Sequence, residues 1–547
     1  MAKIPFARYS AFHAVLLLAA LLVGFASMGV AMAPTGFWTA VVFTIPVLLV
    51  LIGIHDLVQT KHAVLRNYPV IGHVRWLMEM IRPEIRQYLL EDDNEATPFS
   101  RAQRSLVYRR AKGISSDHPF GTLMDVYASD YEFIQHSMAP ADKADPASLR
   151  ITIGNDQCSQ PYSASVFNIS AMSFGSLSAN AIRALNKGAA LGGYYHDTGE
   201  GSISAYHREH GGDLVWEIGS GYFGCRTAAG MFDAGRFAAQ ASDPQVKMIE
   251  IKLSQGAKPG HGGILPGKKV TPEIAATRGV QQGEDCISPA RHSAFSTPLE
   301  MMAFIQQLRD LSGGKPVGFK LCIGLPWEFM SVVKAMLESG VVPDFIVVDG
   351  GEGGTGAAPV EFSDHIGTPM REGLLFVHNT LVGAGLRDRV KIGAAGRLIS
   401  AFDIACVLAI GADWTNCARG YMFALGCIQS LSCHTNRCPT GVATQDPLRQ
   451  RALDVGDKSS RVRSFHDRTV NMLSEMLAAA GLTHPDQLKP HHVAHRVSQT
   501  EMRQFDEVHH FLMPGDLIHD RCAVGYYRQN WARASAASFA PAPSLLD

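Results

Sequence analysis

The chain has 547 residues, of which 46% are hydrophobic, and its formal net charge is −1. This length is sufficient for a large core and more than one domain, and the near-zero charge predicts no general attraction to nucleic acid. The ten cysteines are too few and too scattered for a disulfide scaffold.

Two stretches near the start, residues 11–33 and 37–54, contain no Asp, Glu, Lys or Arg, and a Pro-Thr-Gly turn separates them. Each is close to the ~20 residues that an α-helix needs to cross a bilayer. We therefore predict a transmembrane helical hairpin in residues 1–60; the alternative, a cleaved signal peptide, is disfavoured by the second stretch. Basic residues flank the pair and none lies in the turn, which predicts a multi-pass protein of the inner (cytoplasmic) membrane whose catalytic domain faces the cytoplasm.

Residues 61–150 contain no motif that carries chemistry, and we expect them to form an N-terminal cap region. In residues 151–440, short apolar segments alternate with helix-length segments, which predicts a parallel sheet surrounded by helices. Eight such units predict an α/β TIM (β/α)8 barrel, in which functional residues lie at the C-terminal ends of the strands. The candidate strands are Val166–Ala171, Gly193–His196, Leu214–Ile218, Met248–Leu253, Val317–Cys322, Phe345–Val348, Val390–Gly393 and Thr415–Ala418.

Three cysteines form the pattern C-x5-C-x4-C at Cys427, Cys433 and Cys438, and Pro439 follows the last of them. Thiolates hold iron–sulfur clusters, and a Cys-Pro step is frequent at the end of such loops. Three ligands point to a three-iron cluster, or to a site with one ligand that is not cysteine. The alternatives are a zinc site with His434 as its fourth ligand, and three unrelated cysteines.

Residues 441–547 close the chain. The stretch from Ser459 to Ala480 has the pattern of an amphipathic helix that ends at Gly481. The Ala-, Ser- and Pro-rich residues after Ala532 are typical of a flexible tail. We therefore expect a C-terminal helical extension followed by a flexible tail.

Three separated strings carry a family resemblance: KLSQGAKPGHGGILPG at residues 252–267, GGEGGTGAAP at 350–359 and CPTGVATQ at 438–445. Together they resemble the FMN domain of glutamate synthase. More narrowly, the chain resembles the stand-alone, membrane-anchored FMN-binding glutamate synthase family proteins. The resemblance covers most of the chain, and it implies the same TIM barrel with FMN and an iron–sulfur cluster as cofactors.

An FMN site needs a phosphate cradle, contacts along the ring and a cation near N1 and O2. In TIM barrels the phosphate lies in the loops after the last two strands, so we expect Gly396 and Arg397, with Ala418 and Arg419, to hold it. The resemblance places Lys320 beside N1 and O2; a salt-bridged lysine is the alternative. Five further residues are expected along the ring or near the cofactor: Met172, Ser173, Asp349, Gly350 and Gly351.

The resemblance also implies an oxidoreductase acting on CH–NH2 donors. Members of the family condense 2-oxoglutarate with ammonia to 2-iminoglutarate, and reduced FMN then delivers a hydride that yields L-glutamate. By the same resemblance Gln255 and Lys258 contact the oxoacid, and Glu200 manages ammonia or proton transfer. Electrons are expected to enter through a 3Fe-4S cluster from an electron donor protein or a membrane carrier, and partner subunits or a homo-oligomer are compatible with this arrangement.

The chain departs from the family pattern at three positions. His261 and Ile264 stand where glutamate synthases have Glu and Gln, and Ser202 stands where a second glycine is expected after Thr-Gly-Glu-Gly. That Gln helps to hold the oxoacid, so an alternative is an enzyme acting on another amino or oxo acid, such as an N-substituted glutamate. The glutaminase domain is not present, so ammonia or another amine is expected from solution or from a partner. A further alternative is an electron-transfer subunit of a membrane complex, against which Glu200, Gln255 and Lys258 argue.

Overall fold

The computed structural model describes residues 18–25, 28, 37–94, 97–117 and 119–542. The chain divides into two compact units, Met1–Arg101 and Ala102–Asp547. The helices of the first unit are Phe37–Val58, Ala63–Asn67 and Gly72–Ile85, the last of which continues as a π-helical turn, Arg86–Leu90.

The predicted transmembrane hairpin is not found among the residues that the structure describes. Most of its first stretch, residues 11–33, lies outside the described residues, and its second stretch falls within the helix Phe37–Val58. This helix continues past the uncharged residues to Asp56, whose carboxylate accepts a hydrogen bond from the Val70 N–H (2.9 Å) and lies 2.9 Å from His73 Nε2. Among the helices that the structure describes, none is long and apolar enough to cross a membrane, which contradicts the predicted multi-pass location in the inner membrane.

Eight parallel strands close into a barrel in the second unit, as the sequence predicts. Closure is made by the last and first strands, in which Thr415 lies opposite Phe167. Each strand overlaps its predicted counterpart, and we number the strands β1 to β8 in chain order. They are β1 Phe167–Ile169, β2 His196–Asp197, β3 Leu214–Ile218, β4 Val246–Lys252, β5 Val317–Leu321, β6 Phe345–Asp349, β7 Lys391–Ala395 and β8 Trp414–Cys417.

Helices surround the barrel because parallel strands are buried on both faces and need cover. All five residues of β3 are buried, for example. Side-chain caps begin several of the helices; the Thr297 hydroxyl accepts the Glu300 N–H, and the Glu300 carboxylate accepts the Thr297 N–H. The helices from β1 to just beyond β8 are Ala179–Gly192, Ala205–Arg208, Ala234–Ala241, Pro272–Arg278, Pro298–Leu311, Pro326–Ser339, Val360–His365, Met370–Gly383, Ala401–Ala409 and Arg419–Leu425.

A β-hairpin fills the barrel at the amino ends of its strands. Its strands, Arg150–Ile153 and Tyr162–Ser165, are antiparallel. Ile153 and Tyr162 pack in one buried apolar cluster with Val215 of β3 and other barrel residues. Because this end is closed by apolar side chains, the opposite rim, at the carboxyl ends of the strands, is where polar groups are free to meet a ligand.

The residues after the barrel form both helices and strands. The helix Val455–Ala479 packs on the barrel helix Ala179–Gly192, where a Cβ added at Gly188 would lie 2.4 Å from Val462 Cγ1. The predicted flexible tail is described as far as residue 542, and the Leu299 N–H donates to Ala536 O. Three antiparallel strands form a separate sheet: Glu132–Ile134, Val493–Arg496 and Met502–Gln504.

Short elements complete the chain. The remaining helices are Arg101–Ala111, Pro447–Gln450, Phe505–Val508 and Gly525–Arg533. The strands Ile264–Leu265 and Cys286–Ile287 form a two-stranded ribbon in the long connection between β4 and β5. The 3-10 turns are Pro146–Ser148, Gly267–Lys269, Cys433–Thr435, Pro485–Gln487 and Pro490–His492.

Substitution of Arg309 tests the dependence of the barrel on a buried ion pair. Arg309 and Asp344 are 2% and 0% exposed, their N–O distance is 3.0 Å, and Asp344 also accepts the Val317 N–H. We expect Arg309→Met to lower the free energy of unfolding by about 3–5 kcal/mol, because it leaves a buried carboxylate without its cation. Urea unfolding followed by tryptophan fluorescence measures this loss.

The matched control is Arg389→Met, which removes an ion pair with Asp156 whose side chains are 36% and 68% exposed. Such a pair is worth about 0–1 kcal/mol. Equal, small losses in Arg309→Met and Arg389→Met would show that the buried pair is not needed for the barrel.

Candidate active site at the mouth of the barrel

A small cavity opens at the carboxyl ends of β2, β3 and β4. Glu200 reaches it from the loop after β2, and Gln255 and Lys258 reach it from the loop after β4. The structure thus brings the three sequence-predicted substrate residues together. The other lining residues are Ser220, Lys252, Leu253, Ser254, Gly260, Gly262, Gly263, Pro289 and Ala290.

Lys252 links two of these residues, and sequence analysis did not single it out. It is the last residue of β4, and its Nζ lies 3.2 Å from Glu200 Oε1 and donates to Gln255 Oε1 at 2.8 Å. A lysine at the carboxyl end of a buried barrel strand is the signal that could have identified it. The position of Lys252 fixes both the carboxylate and the amide at one wall of the cavity.

Positive charge dominates this wall. Burial would raise the pKa of Glu200, but the charges of Lys252, Arg278 and Lys258 outweigh it and hold the pKa below its ordinary value. Burial and the charge of Lys252 lower the pKa of Lys258, while Glu200 opposes this effect. Glu200 is therefore a carboxylate at neutral pH. Three cations face one carboxylate, so the cavity favours an additional anion.

Close backbone contacts hold the surrounding loops in place. A Cβ at Gly256 would lie 1.6 Å from Gly350 O, and the Gly256 N–H donates to Asp349 Oδ2 at 2.8 Å. The loops after β4 and β6 therefore cross in direct backbone contact. Burial raises the pKa of Asp349, while Lys320 and the Gly256 N–H oppose the effect. Gly351 continues the contact, because its N–H donates to Thr368 O at 2.9 Å.

The loop after β1 lies against the Glu200 loop. Gly199 has a φ of +64°, and a Cβ there would lie 2.7 Å from Ser173 N, so only glycine allows this approach. Met172 is 8% exposed. Arg278 donates to Ser173 Oγ (3.3 Å) and to Phe174 O (3.0 Å). Arg278, which sequence analysis missed, thus joins this loop to the charged wall of the cavity.

The loops after β7 and β8 bring two arginines together. Arg419 donates to Glu352 O at 2.7 Å. Burial and the charge of Arg397 lower the pKa of Arg419 to about 10. Ala418 is the N-cap residue of the helix Arg419–Leu425, and a Cβ at Gly396 would lie 3.1 Å from Met370 Cβ. Two neighbouring, half-buried guanidinium groups are suited to a dianionic group such as a phosphate.

The barrel interior below the cavity contains a cluster of charges. Lys320 of β5 makes salt bridges with Glu217 of β3 and with Glu250 of β4, the second at 3.2 Å. Ligand atoms of Asp197, Glu217 and Glu250 lie within 4.8 Å of one another, and all three side chains are buried. Lys320 is therefore salt-bridged, which is the alternative that the sequence left open.

Three carboxyl groups and one ammonium cannot all be charged in a dry interior. Burial raises the pKa of Asp197 and of Glu250, and repulsion from Glu217 adds to both effects while Lys320 opposes them. The cluster therefore holds a proton at neutral pH. Glu217 and Glu250 were missed, although each is a charged residue inside an apolar strand, the same signal that identified Lys320.

The three predicted metal ligands lie in one loop after the helix Arg419–Leu425. Burial raises the pKa of Cys427 to about 12; a hydrogen bond from the Gln429 N–H opposes the rise, and Cys433 and Cys438 add to it. The opposite holds for Cys438, whose pKa is lowered despite burial by hydrogen bonds from the Thr440 hydroxyl and from nearby backbone N–H groups. N–H and O–H donors around sulfur are the surroundings that iron–sulfur ligands have in proteins.

The cysteine loop does not fit a single zinc ion. Among the described residues, Asp197, Glu217 and Glu250 are the three-residue group whose ligand atoms all lie within 4.8 Å of one another. The sulfurs of Cys427, Cys433 and Cys438 therefore do not all lie within that distance. Tetrahedral zinc with Zn–S bonds of about 2.3 Å needs sulfurs about 3.8 Å apart. His434, the fourth ligand of that alternative, is exposed. The spacing is instead compatible with a larger, multinuclear group.

Comparison with known proteins identifies the family of this chain. The family described as a conserved region in glutamate synthase matches residues 127–483. The chain belongs to the glutamate synthase family. It is therefore an enzyme of the oxidoreductase class, and the resemblance inferred from the sequence is confirmed.

Relatives within the family differ in how much of their length the chain covers. The chain is 40% identical over 510 residues to the glutamate synthase large subunit-like protein YerD of Bacillus subtilis (strain 168), covering 86% of this chain and 97% of the relative. It is 33% identical over 320 residues to the archaeal-type glutamate synthase (NADPH) of Thermotoga neapolitana, covering 58% of this chain and 60% of the relative. Among solved structures, a mandelate oxidase is 14% identical with a TM-score of 0.40, covering 79% of this chain and 98% of that chain, a likeness too weak to carry an argument.

Substitution of Asp197 tests the protonated cluster. The pKa of Asp197 is raised in the folded state. Above about pH 4 the unfolded chain therefore releases a proton that the folded chain keeps. For this reason the stability of the wild type falls as pH rises. Asp197→Asn mimics the protonated form and still accepts the Gly199 N–H. We expect the variant to gain stability relative to the wild type between pH 5 and pH 8, by on the order of 1 kcal/mol for each unit of the pKa shift.

Thermal unfolding at both pH values measures this difference, and Asp388→Asn, at an exposed carboxylate, is the control. If the difference in unfolding free energy between Asp197→Asn and the wild type is the same at pH 5 and pH 8, Asp197 is ionised throughout and the cluster holds no proton there.

Proposed function

We propose that the chain is a glutamate synthase-like flavoenzyme that reductively aminates 2-oxoglutarate, through 2-iminoglutarate, to L-glutamate. The observation that carries this proposal is the cavity at the barrel mouth, in which Glu200, Lys252, Gln255 and Lys258 meet. Membership of the glutamate synthase family supports it.

The cations of the cavity suit a dicarboxylic oxoacid. Lys258 is 4% exposed, and within the described residues no hydrogen-bond acceptor meets its ammonium. A buried ammonium of this kind is stabilised by a carboxylate of the substrate. Gln255 is positioned by Lys252, which occupies the amide oxygen. Its NH2 group lies 3.5 Å from Thr355 Oγ1 and has a second N–H to donate to the oxoacid.

Glu200 is suited to proton transfer during imine formation. Its carboxylate is kept ionised by the surrounding cations, so it accepts a hydrogen bond from ammonium and takes a proton as the amine attacks the keto carbon. The Ser288 hydroxyl lies 3.5 Å from Glu200 Oε2. Lys252 at 3.2 Å holds the carboxylate in this orientation.

The rim of the barrel fits FMN, which when bound supplies the hydride for reduction of the imine. We propose that Arg397 and Arg419 hold the phosphate, since burial and the charge of Arg397 lower the pKa of Arg419, an effect that an anion bound near both side chains would offset. We propose that the backbone at Gly350 and Gly351, the buried Met172 and the half-buried Ser173 lie along the flavin ring. Lys320 acts on the flavin site through the charge cluster and not as a free cation, because Glu217 and Glu250 already neutralise its charge.

We further propose that Cys427, Cys433 and Cys438 hold a 3Fe-4S cluster that receives electrons one at a time from a separate donor protein or carrier. The C-x5-C-x4-C pattern in one loop and the hydrogen-bond donors around Cys438 support this assignment. Oligomers and partner subunits remain compatible with it.

The two alternatives left by the sequence gain no support from the cavity. Ile264 stands in the two-residue strand Ile264–Leu265, paired with Cys286–Ile287, and is not among the cavity-lining residues. The buried Lys258 and the charged Glu200 are not needed by an electron-transfer subunit.

Substitution of Lys258 tests the oxoacid site. We expect Lys258→Met to raise KM for 2-oxoglutarate about 10- to 100-fold, because a charge-assisted hydrogen bond to the substrate is lost. Steady-state glutamate formation with an artificial one-electron donor and ammonium measures KM and kcat, and flavin and iron content is determined in the same preparations.

The matched control is Lys268→Met, at an exposed lysine ten residues along the chain, which should leave KM unchanged. An unchanged KM in Lys258→Met, with turnover at the wild-type rate, would remove Lys258 from the substrate site. Failure of the wild type to form glutamate, in protein that retains its flavin and iron, would favour the electron-transfer alternative.

A further inference from the structure

Lys269 is a buried lysine that the proposed chemistry does not use. It ends the 3-10 turn Gly267–Lys269 and is 3% exposed. Its ammonium donates to two backbone carbonyls, Ser176 O and Ala443 O, each at 3.2 Å. The side chain therefore holds a full charge inside the protein with neutral acceptors only, which is costly unless a negative group lies near.

The two carbonyls belong to two functional segments. Ser176 lies in the loop after β1 that also contains Met172 and Ser173, on the flavin side of the barrel. Ala443 lies shortly after Cys438, in the segment that follows the cysteine loop. Lys269 therefore joins the proposed flavin site to the proposed cluster site through one side chain.

A second side chain ties the same segments without a charge. Gln445 Nε2 donates to Gly175 O at 3.0 Å and to Leu177 O at 2.8 Å. The connection between the two loops is thus secured by a neutral amide as well as by Lys269. The hydrogen bonds of Lys269 alone therefore do not account for a charged side chain at this buried position.

Negative charge on the cysteines acts on Lys269. Burial lowers the pKa of Lys269 to about 8, and the charges of Cys433 and Cys438 raise it, against the repulsion of Lys268. The ammonium is therefore within electrostatic range of two of the three proposed cluster ligands. Because it is buried, solvent and salt screen this interaction far less than they screen an exposed charge.

We propose that Lys269 is a positioning residue that raises the reduction potential of the iron–sulfur cluster and holds the cluster loop against the flavin-side loop. This inference rests on the proposed function, since it requires a cluster at Cys427, Cys433 and Cys438. Each transfer moves one electron from a one-electron donor onto the cluster, and no bond is made or broken. The added negative charge is stabilised by a fixed neighbouring cation, which keeps its proton throughout.

The test compares Lys269→Gln, Lys269→Arg and Lys268→Gln in the full chain. Lys269→Gln keeps a hydrogen-bond donor and removes the charge, whereas Lys269→Arg keeps the charge. Lys268→Gln removes the same charge from the neighbouring, exposed position. Iron and sulfide are quantified for each protein, and the midpoint potential of the cluster is measured by redox titration followed by EPR.

We expect Lys269→Gln to lower the midpoint potential of the cluster by at least about 59 mV. For one electron, this shift lowers the ratio of reduced to oxidised cluster tenfold at the midpoint potential of the wild type. Lys269→Arg and Lys268→Gln should stay near the wild-type potential. Loss of the cluster from Lys269→Gln but not from Lys269→Arg would also support the requirement for charge.

Two results would overturn the inference. The first is a wild-type potential in Lys269→Gln with full iron content; the second is equal loss of iron from Lys269→Gln and Lys269→Arg, which would make the role of Lys269 purely structural. Absence of iron and sulfide from the wild type is a different outcome, because it refutes the cluster in the proposed function itself.

Discussion

The salt bridges of Lys320 with Glu217 and Glu250 determine how the upper half of the barrel is built. Three strands contribute these side chains, and an ammonium among carboxylates is the arrangement that makes charge tolerable there. Below them, the hairpin that contains Tyr162 closes the barrel with apolar groups. Because Lys320 and a bound proton offset much of the carboxylate charge within the interior, the charges above it are left to act on a ligand. The cluster is in this sense the floor of the active site.

Above this floor, contacts between glycine backbones decide where the functional side chains lie. The crossing of Gly256 with Gly350, and that of Gly199 with Ser173, each leave no room for a Cβ. Loops that cross at such distances have little freedom, so Glu200 and Lys258 are positioned before a substrate arrives. Preorganisation of this kind lowers the entropy cost of bringing an oxoacid and an amine together.

Much of the barrel could be predicted from the sequence, because each strand is a short apolar run and the alternation of strands with helix-length segments leaves few alternative folds. Glu200, Gln255 and Lys258 came from a family resemblance, and the structure brings them into one cavity. Lys252 and Glu217 carried a sequence signal, a charged residue in an apolar strand, but their pairing with Glu200 and Lys320 was not predictable, because these contacts form only when separate strands close into a barrel. The predicted membrane hairpin was wrong because hydropathy alone does not register tertiary contacts such as those of Asp56.

The central claim is that the barrel mouth carries out reductive amination with a bound flavin. The most direct measurement is anaerobic stopped-flow reoxidation of the dithionite-reduced, flavin-loaded protein after mixing with 2-oxoglutarate and ammonium. The account predicts rapid return of the oxidised flavin absorbance only when both compounds are present, with one glutamate formed for each flavin reoxidised. A flavin that stays reduced with both compounds present, in protein that retains its flavin and iron, would contradict it.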